Sequence, residues 1–188
     1  LTSKNFAKKG KILSTPSALY ALENGNLYCA SLKTAIPKLS SLESPYNSWK
    51  KVGDVGLAES NIMINSITSL SKNGSDDLVL YVPTSKNVAS ITLNKKAGTC
   101  GSIIKVDMLV DEQDQTFEWG RINAIDISES LNTLFIASSE AGALSIALDK
   151  GPKKVRRILG DRITGESYTL KWVDQWKTLY ISTHEALF

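Results

Sequence analysis

One short pattern recurs four times along this chain: leucine, an aromatic residue, two small or apolar residues, then serine or threonine. It stands at Leu27-Tyr28-Cys29-Ala30-Ser31, Leu80-Tyr81-Val82-Pro83-Thr84, Leu134-Phe135-Ile136-Ala137-Ser138 and Leu179-Tyr180-Ile181-Ser182-Thr183. The leading leucines follow one another at intervals of 45 to 54 residues. A repeat of that length constrains the fold strongly. Each copy must be one supersecondary unit that buries its apolar face only against its neighbours.

The flanks of each copy repeat as well. An alternating apolar run precedes it at 18–22, 66–70, 124–128 and 168–173, and a polar turn joins the two at 23–26, 72–76, 129–132 and 174–177. Asn-Gly stands in the first two turns, where a tight hairpin needs residues that tolerate positive φ. A further run follows at 88–93 and 143–148, and in weaker form at 35–39, where Pro37 removes a ladder donor. Another run falls between copies at 11–14, 48–52, 102–110 and 154–159. The pattern predicts four short antiparallel strands per unit, in units of approximately 10–47, 48–100, 101–150 and 151–188, as a single domain. No apolar period of 3.6 is sustained along the chain, so helix is expected to be a minor component. Four-stranded units of this length are the blades of a β-propeller, in which radial stacking covers the sheet faces and protects the short edges.

The run Ile122-Asn123-Ala124-Ile125-Asp126-Ile127-Ser128, followed by residues 133–138 and 143–148, resembles a WD-type repeat in pattern, without the Trp-Asp dipeptide or the Gly-His opening. The resemblance implies an all-β, propeller-type fold. Four units, the last short of its outer strands, imply a fragment of a larger ring. The alternative is a closed four-bladed ring with residues 11–14 pairing beside the fourth unit.

Composition narrows the function classes. Hydrophobic residues make up 42% of the 188-residue chain and charged residues 22%, as in an ordinary globular protein. A balance of 22 Lys+Arg against 19 Asp+Glu does not mark a nucleic-acid binder. No run of about 18 apolar residues is present to span a membrane. The basic start at residues 1–11 lacks the apolar stretch of a signal peptide. Asn73-Gly74-Ser75 is a glycosylation sequon. The chain has two cysteines. Cys29 lies in an apolar run and reads as a buried free thiol, with a Cys29–Cys100 disulfide as the other reading.

Screens for chemistry are negative. The chain has one histidine, His184, in an expected turn, so any Ser-His-Asp triad would have to use it. There is no nucleophile elbow and no phosphate-cradling glycine loop. The acidic stretch 111–118 lacks the alternating spacing and glycine of a calcium loop, and reads as a connecting loop. The basic stretch 150–157 reads as an edge strand guarded by charge. Asp126 is the clear acidic residue inside an inner strand, too few for a propeller enzyme with a central metal. No cofactor or metal is expected.

The expectation is a non-enzymatic interaction platform for a protein partner, with another chain as a candidate to complete the ring. The rival readings are a lactonase- or hydrolase-type propeller and a carbohydrate-binding propeller. In propeller rings the loops before the first strand and after the second share one face. By that analogy the partner face carries Lys86, Trp119, Arg121, Glu140, Asp161, Arg162, His184 and Glu185. Tyr28, Tyr81, Phe135 and Tyr180 are expected to pack between units.

Overall fold

The computed structural model describes residues 12–14, 18–23, 25–31, 49–57, 68–71, 77–84, 87–94, 100–110, 119–148, 153–158, 166–183 and 187. Within them the chain is all-β. The strands are β1 (Ile12–Ser14), β2 (Ala18–Glu23), β3 (Asn26–Ser31), β4 (Lys50–Asp54), β5 (Thr68–Ser71), β6 (Asp77–Pro83), β7 (Val88–Asn94), β8 (Ser102–Met108), β9 (Ile122–Ser128), β10 (Thr133–Ser138), β11 (Gly142–Ala147), β12 (Val155–Arg157), β13 (Ser167–Val173) and β14 (Thr178–Thr183). They form four antiparallel sheets in chain order: β1-β2-β3-β4, β5-β6-β7-β8, β9-β10-β11-β12 and β13-β14. The first three are four-stranded meanders, the fourth is a two-stranded hairpin, and no sheet closes on itself.

Local chemistry sets the hairpins. Gly25 holds φ at +69° in the tight turn between β2 and β3, a conformation that L side chains rarely adopt. The turns 129–132 and 174–177 each end on a residue with positive φ, Asn132 at 47° and Lys177 at 50°. Asn132 N–H donates to the Glu129 carbonyl and Lys177 N–H to that of Asp174, so the two turns share one hydrogen-bonding pattern. With the turns fixed, register follows from the period of two, since a one-residue slip would expose every buried side chain.

That period builds a stack of sheets. Tyr20, Leu22 and Leu27 of the first sheet pack against Leu78, Leu80, Ile91 and Leu93 of the second. Val79, Tyr81 and Val88 on the other face of the second sheet meet Ile122, Leu134, Ile136 and Ile146 of the third. Phe135, Ala137 and Ala143 of the third meet Leu170, Trp172 and Ile181 of the fourth. Phe135 and Trp172 stack with ring centroids 5.3 Å apart. Leu80 and Leu134 are fully buried, as the repeat predicts for strands covered on both faces. Among the described residues, the three buried clusters join consecutive sheets.

Three features differ from the sequence reading. The signature strand of the first unit is β2, not β3. In sheet order β2 holds the place of β6, β10 and β14, and Tyr20 faces the next sheet as Tyr81 and Phe135 do. Both β2 and β3 carry a Leu-Tyr pair, and only stacking tells them apart. Hydrogen bonding also assigns the runs between units. β4, β8 and β12 pair with β3, β7 and β11, while β1 pairs with β2 through Ile12↔Ala21 rather than with the fourth sheet. Residues 35–39, read as a weak strand, lie outside the described residues.

The cysteines are the third difference. Cys29 on β3 and Cys100 ahead of β8 are disulfide-bonded, with Cα atoms 5.8 Å apart, so the free-thiol reading is replaced by a bond between the first two sheets. The Tyr20 hydroxyl donates to the Cys100 carbonyl at 3.1 Å. Burial raises the Tyr20 hydroxyl above its usual range, so it stays protonated and able to donate. The expected charged edge is present: Arg156 and Arg157 are exposed on β12, the edge strand of the third sheet. No helix of the described residues is long and apolar enough to cross a membrane.

Candidate functional site

The β9 entry, the β10–β11 turn and the β13 entry meet at one end of the third and fourth sheets. Ser138, fully buried, organises this corner. Its hydroxyl donates to the Trp119 carbonyl and accepts the N–H groups of Glu140 at 3.1 Å and Ala141 at 2.9 Å. Ser139 continues the ladder past the bulge at the end of β10. Its Oγ accepts Arg121 N–H and its own N–H donates to the Arg121 carbonyl, each at 2.9 Å. Gly120, at φ +66°, lies under Glu140, and a Cβ there would come within 2.5 Å of the Glu140 carboxyl carbon. The exposed Glu140 side chain can swing aside, so it is the positive φ that favours glycine here.

Arg121 reaches across to the fourth sheet. Its Nε donates to Asn123 Oδ1 at 2.9 Å and its guanidinium pairs with Glu166 at 3.2 Å. Asn123 is buried, and its Nδ2 donates to the Ser167 carbonyl at 2.8 Å and to Glu166 at 3.4 Å. The pair is half exposed, with 49% of the Arg121 side chain and 33% of the Glu166 side chain open to solvent, so it adds little stability. It places the Arg121 guanidinium and the Glu166 carboxylate together at this accessible corner, with exposed Glu140 in the adjoining β10–β11 turn.

Of the predicted face, Arg121 and Glu140 come together here as exposed residues. Trp119 is 5% exposed and packs in the core between the second and third sheets, so it lies beneath the face as support and offers no open aromatic anchor. Lys86, Asp161, Arg162, His184 and Glu185 lie outside the described residues, as do the acidic stretch 111–118 and Asn73. Glu166 was missed. It immediately precedes β13 as Arg121 immediately precedes β9, so the rule that selected Arg121 applies to it equally.

The opposite end carries a second polar cluster. Ser130 Oγ donates to Asp174 Oδ1 at 2.5 Å, and Lys177 Nζ contacts Ser130 Oγ at 2.7 Å and Asp174 Oδ1 at 3.1 Å. These bonds tie the β9–β10 turn to the β13–β14 turn. Beside them, Leu131 and Trp176 occupy the same position in the two turns and are 52% and 62% exposed. The Ser130 hydrogen bond first, then the Trp172 side chain and Lys177, lower the Asp174 carboxyl from 3.8 to about 2. The charged form is the one held, so this contribution is complete above the ordinary value and is lost as pH falls through about 2. An NMR titration of Asp174 is expected to show a midpoint near that value, and Ser130→Ala should move it upward. A midpoint unchanged by Ser130→Ala would remove the hydroxyl as the cause.

Asp126, the inner-strand carboxylate, is also committed. Its Oδ2 accepts Trp172 N–H at 2.8 Å and pairs with Lys171 at 2.8 Å, while Oδ1 accepts Ile127 N–H at 3.0 Å. It ties the third sheet to the fourth. Among the described residues no group of three His, Cys, Asp or Glu side chains converges as a metal site would require. No family model matches the chain, and the search of curated proteins found no match.

Proposed function

We propose that this chain is part of a β-propeller-type interaction platform whose protein partner docks on the corner formed by Arg121, Glu140 and Glu166. The observation that carries the reading is the Arg121–Glu166 link, which joins equivalent positions of consecutive sheets into one accessible charged surface. The propeller reading is supported by three meanders and a hairpin stacked in chain order, with β9 beside both β5 and β13 and with β4 beside β8. First strands thus adjoin first strands and outer strands adjoin outer strands, as radial packing requires.

The ring reading also draws on Tyr180. Tyr20, Tyr81 and Phe135 are 0%, 6% and 6% exposed under the following sheet, while Tyr180 at the matching position is 37% exposed. Leu187 makes an isolated antiparallel bridge to Ser182 at the edge of β14. Further units, or another chain, would cover that face.

A second docking surface has its own observation. Trp176 and Leu131 are exposed apolar residues at matching positions of the two linked turns, and tryptophan is over-represented among residues that dominate binding energy. One experiment separates the two surfaces: capture of the partner by the wild type, by Arg121→Glu and by Trp176→Ser, with equal melting temperatures as the folding control. Loss of at least tenfold with Arg121→Glu alone supports the charged corner. The same loss with Trp176→Ser alone moves the site to the turns. Unchanged capture by both variants, or no partner captured by the wild type, overturns the proposal.

A further inference from the structure

We infer that this chain matures in an oxidising compartment, where a dithiol–disulfide oxidoreductase closes the Cys29–Cys100 bond between its first two sheets. The chain has two cysteines and the bond uses both. They stand 71 residues apart in sequence, one on β3 and the other ahead of β8, so the bond joins separate repeat units. Their Cα separation of 5.8 Å lies inside the range that a disulfide spans without backbone movement.

The surroundings suit a permanent bond. Cys29 is fully buried in the core between the first and second sheets, and Cys100 packs against the same core. The Tyr20–Cys100 hydrogen bond fixes the backbone on the Cys100 side. A reducing thiolate must reach a sulfur in line to open a disulfide; burial closes the Cys29 side of the bond and leaves the partly buried Cys100 side as the point of attack. A cytosolic chain would be kept as two thiols by glutathione and thioredoxin. The two sheets would then be held by apolar contact and the Tyr20–Cys100 hydrogen bond.

Closing the bond removes two protons and two electrons from the two thiols and forms the sulfur–sulfur bond. The oxidoreductase accepts the electrons through its own disulfide, which becomes a dithiol. Since the attacking thiolate must be accessible, closure comes before, or together with, burial of Cys29 in the first core.

The test uses the unaltered protein from cells that make it. Thiols are trapped with N-ethylmaleimide at lysis, the chain is unfolded in the same reagent, and the two cysteine peptides are weighed before and after reduction. Neither peptide should carry maleimide before reduction, and both should carry it afterwards. Maleimide on both cysteines without reduction would overturn the inference, as would either cysteine joined to a different thiol. A second measurement needs no variant. Complete reduction of the folded protein should lower its melting temperature by roughly 10 °C. An unchanged melting temperature after confirmed reduction would overturn the bond as a structural requirement.

Discussion

Leu134→Ala is expected to destabilise this protein by about 2–5 kcal/mol, the range for truncating a close-packed leucine that leaves a cavity. Leu134 is fully buried on β10, in the core that joins the second sheet to the third. Val79 and Tyr81 lie across the junction, and Ile136, Leu144 and Ile146 share its sheet face. A cavity there weakens two sheets at once, because neither face of the junction can collapse without moving a hydrogen-bonded strand. The control is Leu131→Ala, three residues earlier on the exposed turn, which should change stability by no more than about 0.5 kcal/mol. Urea unfolding of both variants measures the contrast. A Leu134→Ala cost near that of Leu131→Ala would mean that the second and third sheets do not pack as described.

Replacing both cysteines by alanine is expected to cost about 4 kcal/mol, from the loop-closure entropy that a bond across some 70 residues removes from the unfolded chain. The position of the bond adds to the consequence. It ties the first sheet to the second, so without it the first sheet has a lower barrier to peeling away. Hydrogen exchange should show this as faster exchange in β2 and β3 than in β9 and β10. Uniform acceleration across all four sheets would indicate that the bond acts on global unfolding and not on this junction. Single replacements are less informative, since each leaves an unpaired thiol, and in Cys100→Ala that thiol is the fully buried Cys29.

Strand positions were legible because they rest on local chemistry. A turn such as 129–132 depends on a few backbone angles and side-chain hydrogen bonds, and the alternation along Ile122–Ser128 or Thr133–Ser138 depends on a period of two. The expected runs at 18–22, 88–93, 124–128 and 168–173 are accordingly found within strands, and 143–148 runs one residue past the end of β11. The charged corner was legible in part. Arg121 and Glu140 follow from the loop rule, and Glu166 follows from the same rule applied one unit later. The burial of Trp119 does not, because a tryptophan at a strand entry packs inward or outward according to what the neighbouring sheet offers. Here that is an apolar face including Val79, Tyr81 and Val88.

By itself the sequence determined an all-β chain of short antiparallel hairpins, repeated and separated by polar turns. Tertiary structure decided everything that depends on which surfaces meet. It chose β2 over β3 as the signature strand of the first unit, since two Leu-Tyr pairs on adjacent strands are equivalent until a second sheet covers one of them. It gave β4, β8 and β12 to the preceding sheets, since an edge strand bounded by long loops has two possible neighbours. It paired Cys29 with Cys100, since residues 71 apart are brought together by the packing of two sheets and by nothing local. Hairpin formation is a short-range process in which the chain closes small loops. Stacking requires long loops to close first, and its outcome is set by the shape and apolar area of finished sheets, which no window of sequence contains.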